Sequence, residues 1–127
     1  MAQQGEADLT AAEILAAAET YDYFTCAFHC QQAAEKFLKA FLVCHQIEFR
    51  KTHDLGELLK LASQAELPGC EWLTPFGIEF RYPGDQPEVD WTMAQNALAE
   101  AKRLRQVIMK HLASYLAGEE HAGSQRA

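Results

Sequence analysis

The stretch Tyr21 to Gln46, YDYFTCAFHCQQAAEKFLKAFLVCHQ, constrains the rest of the chain more than any other. It contains neither Gly nor Pro. Apolar or small residues recur at Phe24, Ala27, Phe28, Ala34, Phe37, Leu38, Phe41, Leu42 and His45, with Gln31 the one polar interruption. Steps of three and four predict one buried helix, about 39 Å long at roughly 1.5 Å per residue. A rod of that length with an apolar face must be covered by other helices, as the central member of a bundle.

Four further segments are available to cover it. Residues 6–19 predict a helix with an apolar stripe at Leu9, Ala12, Ile14, Leu15, Ala16 and Ala18, joined so closely to the central helix that an antiparallel hairpin buries the most surface. After the link IEFRKTHDL, Asp54 and Glu57 have the spacing of a capping box, with Thr52 as a competing cap and His53 between them. The helix they open carries Leu55, Leu58, Leu59, Leu61 and Ala62, and is expected to run about 13 residues, to the stop at Pro68-Gly69. Residues 70–86, CEWLTPFGIEFRYPGDQ, allow only a short turn at Thr74-Pro75 and hold Trp72, Phe76, Phe80 and Tyr82 as aromatics to pack on the bundle. A last long helix is expected from near Pro87 to Leu116, with Ala94, Ala97, Leu98, Ala101, Leu104, Ile108, Leu112 and Tyr115 inward and Gly118 ending it.

These readings give an all-α fold, an antiparallel up-and-down four-helix bundle with a short extra helix or turn before the last long helix. At 127 residues and 49% hydrophobic composition one domain is expected over residues 1–117, with 118–127 as a disordered tail. Eleven basic against 18 acidic residues, net −7, argue against general duplex DNA or anionic-membrane binding. The start MAQQGEADLT lacks a basic, apolar leader pattern and no apolar run approaches the ~18 residues of a membrane span, so a cytoplasmic protein is expected. Cys26, Cys30, Cys44 and Cys70 form no CxxC pair and read as free, core-compatible thiols. Cys26, His29 and Cys30 lack a second ligand cluster, so neither metal nor cofactor is expected.

The pattern QQAAEKFLKAFL on one helix, KTHDL opening the next, and RYPGDQPE before a long closing helix resembles the HEPN family, the higher eukaryotes and prokaryotes nucleotide-binding domain. The resemblance spans roughly residues 21–116 and implies a helical up-and-down bundle. It also implies a homodimer, a minimal nucleotidyltransferase as partner in a two-component or toxin and antitoxin pair, and nucleotide or RNA as ligand. HEPN ribonucleases carry an Arg, four to six residues and a His, a count that Arg105 and His111 satisfy. Geometry counts against the pair: deep inside an uninterrupted helix, side chains six positions apart point about 120° apart.

The resemblance also pairs Arg81 with Glu35, as a buried ion pair pinning the loop to the central helix, with a phosphate contact by Arg81 and Lys36 or Lys39 as the alternative. Pro83 holds the neighbouring Tyr82 extended, which aims the arginine. Lys36 and Lys39 lie one turn apart and become part of a ligand or partner surface in the family reading. Thr52, His53 and Asp54 are assigned to the helix cap. The expected function is a binding or regulatory module. The alternatives are a metal-independent ribonuclease using Arg105 and His111, and a purely structural dimer.

Overall fold

A computed structural model describes residues 2–18, 22–63, 65–77 and 88–126, with side chains as far as Tyr115. Arg81, Tyr82 and Phe80 lie outside the described residues, as does all but Gly77 of the GIEFRY segment, whose composition is strand-like. The elements are α1 (Ala2–Ala17), α2 (Tyr23–Cys44), α3 (Leu55–Leu61), a 3-10 helix (Glu71–Gly77) and α4 (Trp91–Arg126). The described residues are therefore all helical, packed as an up-and-down bundle around α2.

The central helix is set by both of its ends. Asp22 caps the start, its Oδ1 accepting from the Thr25 amide at 3.1 Å and its Oδ2 from the Thr25 hydroxyl at 2.6 Å. At the other end the Ile47 amide donates back to Leu42 O at 2.8 Å and the Gln46 amide to Val43 O at 3.0 Å. This is the Schellman pattern, and it places Gln46 in the left-handed region at φ 58°.

The face between these ends buries Ala27, Ala34, Phe37, Leu38, Phe41 and Leu42, as the spacing predicts. Each fully buried ring or leucine contributes roughly 1.5–3 kcal/mol relative to exposure. Helix α1 runs antiparallel to it, with Ala12 O accepting from the Cys26 thiol at 3.4 Å and Asp8 against His29 and Lys36. It begins at Ala2, a turn before the expected Glu6, because Gly5 packs directly on the Phe37 ring. Helix α4 runs alongside α2 in the same direction, with Phe41 edge-on to His111 at 6.0 Å and His45 tilted on Tyr115 at 4.9 Å.

The remaining boundaries differ from the sequence expectation for local reasons. Helix α3 has 7 residues and ends at Leu61, half the expected length, because its burial is complete with Leu55, Leu58 and the capping Ala62. Helix α4 starts at Trp91, after the expected Pro87, since Asp90 takes the cap: its Oδ1 accepts from the Met93 amide at 2.8 Å and its O from the Ala94 amide at 3.0 Å. It then continues to Arg126, past Gly118, a residue that weakens a helix by about 1 kcal/mol without needing to end it. The expected turn near Thr74-Pro75 is the 3-10 helix, and it docks so closely on α2 that a Cβ at Gly77 would run into the Gln31 amide.

Candidate functional site

Polar side chains along α2 gather around two carboxylates. Glu35 is 5% exposed, an unusual position for a charge unless its oxygens are occupied. Its Oε1 accepts from His53 Nδ1 at 2.7 Å and from Gln31 Nε2 at 3.3 Å, and its Oε2 from Lys39 Nζ at 3.2 Å. Lys39 and Gln31 reach it as i±4 neighbours on the same helix, while His53 comes from the link before α3. Gln31 is fully buried and ties the cluster further, donating also to His53 O at 3.3 Å and accepting from Gln32 Nε2 at 2.7 Å. The second carboxylate is Asp8 of α1, which holds His29 Nδ1 at 2.9 Å and is hydrogen-bonded to Lys36 Nζ. Lys36 and Lys39 are thus one turn apart but turned to different neighbours, and each is already charge-paired.

The residues assigned to the α3 cap divide their work. Asp54 is the cap: its Oδ1 accepts from the Gly56 amide at 2.9 Å and from the Glu57 amide at 3.4 Å. Thr52 Oγ1 accepts from the Asp54 amide at 3.1 Å, the place a capping-box glutamate would take. Glu57 instead forms a two-pronged pair with Arg50, at 2.5 and 2.8 Å, and the guanidinium holds the Glu57 carboxyl below the usual carboxylate range. His53 is a correction to the capping assignment, for its ring turns away from the helix end to Glu35 and bonds no α3 amide among the described residues. Thr74 of the 3-10 helix supplies another partner there, its Oγ1 accepting from the Leu55 amide at 3.1 Å.

The two residues with ribonuclease spacing face apart. Arg105 is ion-paired with Glu6 and opens on a cavity of about 450 Å³ between α1 and α4, shared with Leu9, Thr10, Glu13, Lys102 and Gln106. His111 opens on another cavity of about 460 Å³, lined by Ala65, Glu66, Val107, Lys110 and Ser114. Among the described residues the two line different cavities, whereas general acid–base cleavage with phosphate stabilisation requires both to reach one phosphodiester.

Cys26, Cys30 and Cys70 are free, buried thiols. The hydrogen bond that the Cys30 thiol gives to Cys26, together with burial, pushes Cys30 upward, and burial with the nearby Glu100 and Glu71 carboxylates pushes Cys70 up to about 12. Among the described residues no group of three or more His, Cys, Asp and Glu side chains is placed to hold a metal ion, and His29 is engaged with Asp8. Among the same residues no helix is long and apolar enough to cross a membrane.

Sequence reasoning missed three of these participants. Gln31 was visible as a polar break in an apolar face, and its location at the docking point of the 3-10 helix explains the break. Asp8 carried no signal in its own segment, since its partners lie on another helix. Glu100, 9% exposed, sits in an Ala-rich run with Arg103 at i+3, a pattern that hinted at a buried pair without revealing its second partner, Trp72.

The sequence model of the family described as HEPN domain matches residues 1–112. No curated protein and no solved structure matches the chain.

Proposed function

The chain belongs to the HEPN domain family, and from that premise we propose that it is a cytoplasmic binding or regulatory module for nucleotide or RNA. In this reading it acts as a homodimer paired with a minimal nucleotidyltransferase and does not itself cleave RNA. The observation that carries the proposal is the separation of Arg105 from His111, one committed to Glu6 and the other opening on a different cavity.

The strip of Glu35, Lys36 and Lys39 is the proposed face toward the protein partner. Its lysines are paired with Asp8 and Glu35, so it carries little surplus positive charge for a phosphate, while His53, with 59% of its side chain exposed, gives it a polar rim. Arg81 and Tyr82 remain tied to this face by family resemblance alone.

Purified protein incubated with structured RNA beside His111→Ala tests the enzymatic side: no cleavage is expected from either, and cleavage lost in the variant would establish the ribonuclease. Light scattering is expected to give twice the 14.2 kDa chain mass. Co-expression with a nucleotidyltransferase encoded in the adjacent reading frame is expected to yield a complex that Lys36→Glu with Lys39→Glu weakens. A chain that dimerises without a transferase partner or any nucleotide ligand would leave the purely structural reading.

A further inference from the structure

Away from the α2 strip, Glu100 on α4 has both oxygens in use. Oε1 accepts from the Trp72 indole Nε1 at 3.0 Å, and Oε2 accepts from Arg103 Nη1 at 2.9 Å. The carboxylate is buried, whereas Trp72 is 39% exposed and 63% of the Arg103 side chain faces solvent. One fixed carboxylate therefore orients an exposed ring and an exposed guanidinium toward the same space. That space is a cavity of about 380 Å³ lined by Trp72, Asn96, Ala99, Glu100 and Arg103. Its size falls within the ~300–1,000 Å³ of small-molecule sites.

The lining defines what fits. Trp72 makes a T-shaped contact with Phe76 at 6.4 Å and its only polar atom is already bonded, so its part-exposed ring offers aromatic surface whose natural complement is another flat ring. Ala99 keeps the floor low. Asn96, Glu100 and Arg103 follow one another at i, i+4 and i+7 on one face of α4, spreading an amide, a carboxylate and a guanidinium over about 10 Å beside that ring. Arg103 gives one N–H to Glu100 and retains others for an anion. The Asn96 amide, both donor and acceptor, can pair with the N6/N7 edge of adenine through two hydrogen bonds.

We propose that this cavity binds an adenine nucleotide, free or as an unpaired nucleotide of RNA, with the base stacked on Trp72, its edge on Asn96 and its phosphate on Arg103. The proposal rests on the reading of the chain as a nucleotide- or RNA-related module, and its residues are distinct from the Glu35, Lys36 and Lys39 strip.

In Trp91→Phe protein Trp72 is the sole indole, which makes its fluorescence a direct readout. Titration with AMP is expected to quench it saturably, and Asn96→Ala and Arg103→Ala are each expected to weaken the apparent affinity tenfold or more while far-UV circular dichroism stays unchanged. Hexa-adenylate binding tenfold tighter than AMP identifies RNA as the source, and equal affinity identifies the free nucleotide. Absence of saturable quenching by both probes overturns the proposal, as does quenching that survives both variants. Binding abolished by Lys36→Ala and Lys39→Ala but not by Asn96→Ala or Arg103→Ala overturns this site while leaving the nucleotide-related function standing.

Discussion

His53 donates through Nδ1 to Glu35 Oε1 at 2.7 Å, linking the segment that opens α3 to the middle of the central helix. The bond joins an imidazole that is mostly exposed to a carboxylate that is almost wholly buried, so the two ends of it are unequal in energy. Replacing His53 by Ala leaves a carboxylate still held by Lys39 and Gln31. Replacing Glu35 by Ala takes one partner from the fully buried Gln31 amide and leaves the largely buried Lys39 ammonium without its carboxylate in one step. Glu35→Ala is expected to cost about 1–3 kcal/mol, with His53→Ala costing less, and Glu35→Gln falling between because it keeps the shape and one acceptor. Urea denaturation midpoints at neutral pH, with slopes compared, measure the order.

Gly77 closes against the same cluster from the other side. A methyl group there has nowhere to go except into the Gln31 amide, whose own bonds to Glu35 and His53 O resist displacement. Gly77→Ala is expected to destabilise the protein by about 1–3 kcal/mol, the usual cost of overpacking. Coupling makes the prediction specific: in a double variant with Gln31→Ala the penalty of Gly77→Ala should largely disappear, whereas additive losses would show that backbone conformation at Gly77 is the cause.

The bundle was legible in the sequence because its signals are local. The three-and-four spacing from Phe24 to Leu42, the antiparallel hairpin forced by the short link after α1, and the Asp54 cap all depend on residues within a few turns of one another. The site was less legible because its bonds cross elements. Family resemblance ties Glu35 to Arg81, which lies outside the described residues, while its partners among the described residues are Gln31, Lys39 and His53. Arg105 and His111 satisfied a count along the chain, and only the packing of α1 against α4 shows that the arginine is already taken by Glu6. His53 was assigned by proximity to the cap, yet a side chain at the start of a helix is free to turn either way, and a buried carboxylate is the stronger acceptor.

Gln46 occupies a conformation that favours glycine. At φ 58° its Cβ crowds its own backbone, a strain the Schellman bonds from Ile47 and Gln46 hold in place. Its side chain is exposed, so little packing is lost on removing it. Gln46→Gly is therefore expected to stabilise the fold by about 0.5–1 kcal/mol, read as a higher thermal midpoint, while Gln46→Val should destabilise it because a branched Cβ tolerates this region least.

Arg50 and Glu57 give the molecule a pH dependence with a definite sign. The pairing lowers the Glu57 carboxyl in the folded state relative to its ordinary value near ~4.3 in an unfolded chain. A carboxyl lowered on folding contributes stability that is fully present above the unfolded value and is lost as pH falls through the folded one. Native and Arg50→Ala proteins should therefore differ in thermal midpoint at neutral pH and converge once the solution is acid enough to protonate Glu57. Because the pair sits at the surface, the difference should be small and should shrink in high salt. A carboxyl titration followed by NMR tests the cause directly. Glu57 should move up toward ~4.3 in Arg50→Ala, and an unchanged titration would assign the lowering to Thr52 and Lys60, which also lie near enough to depress it.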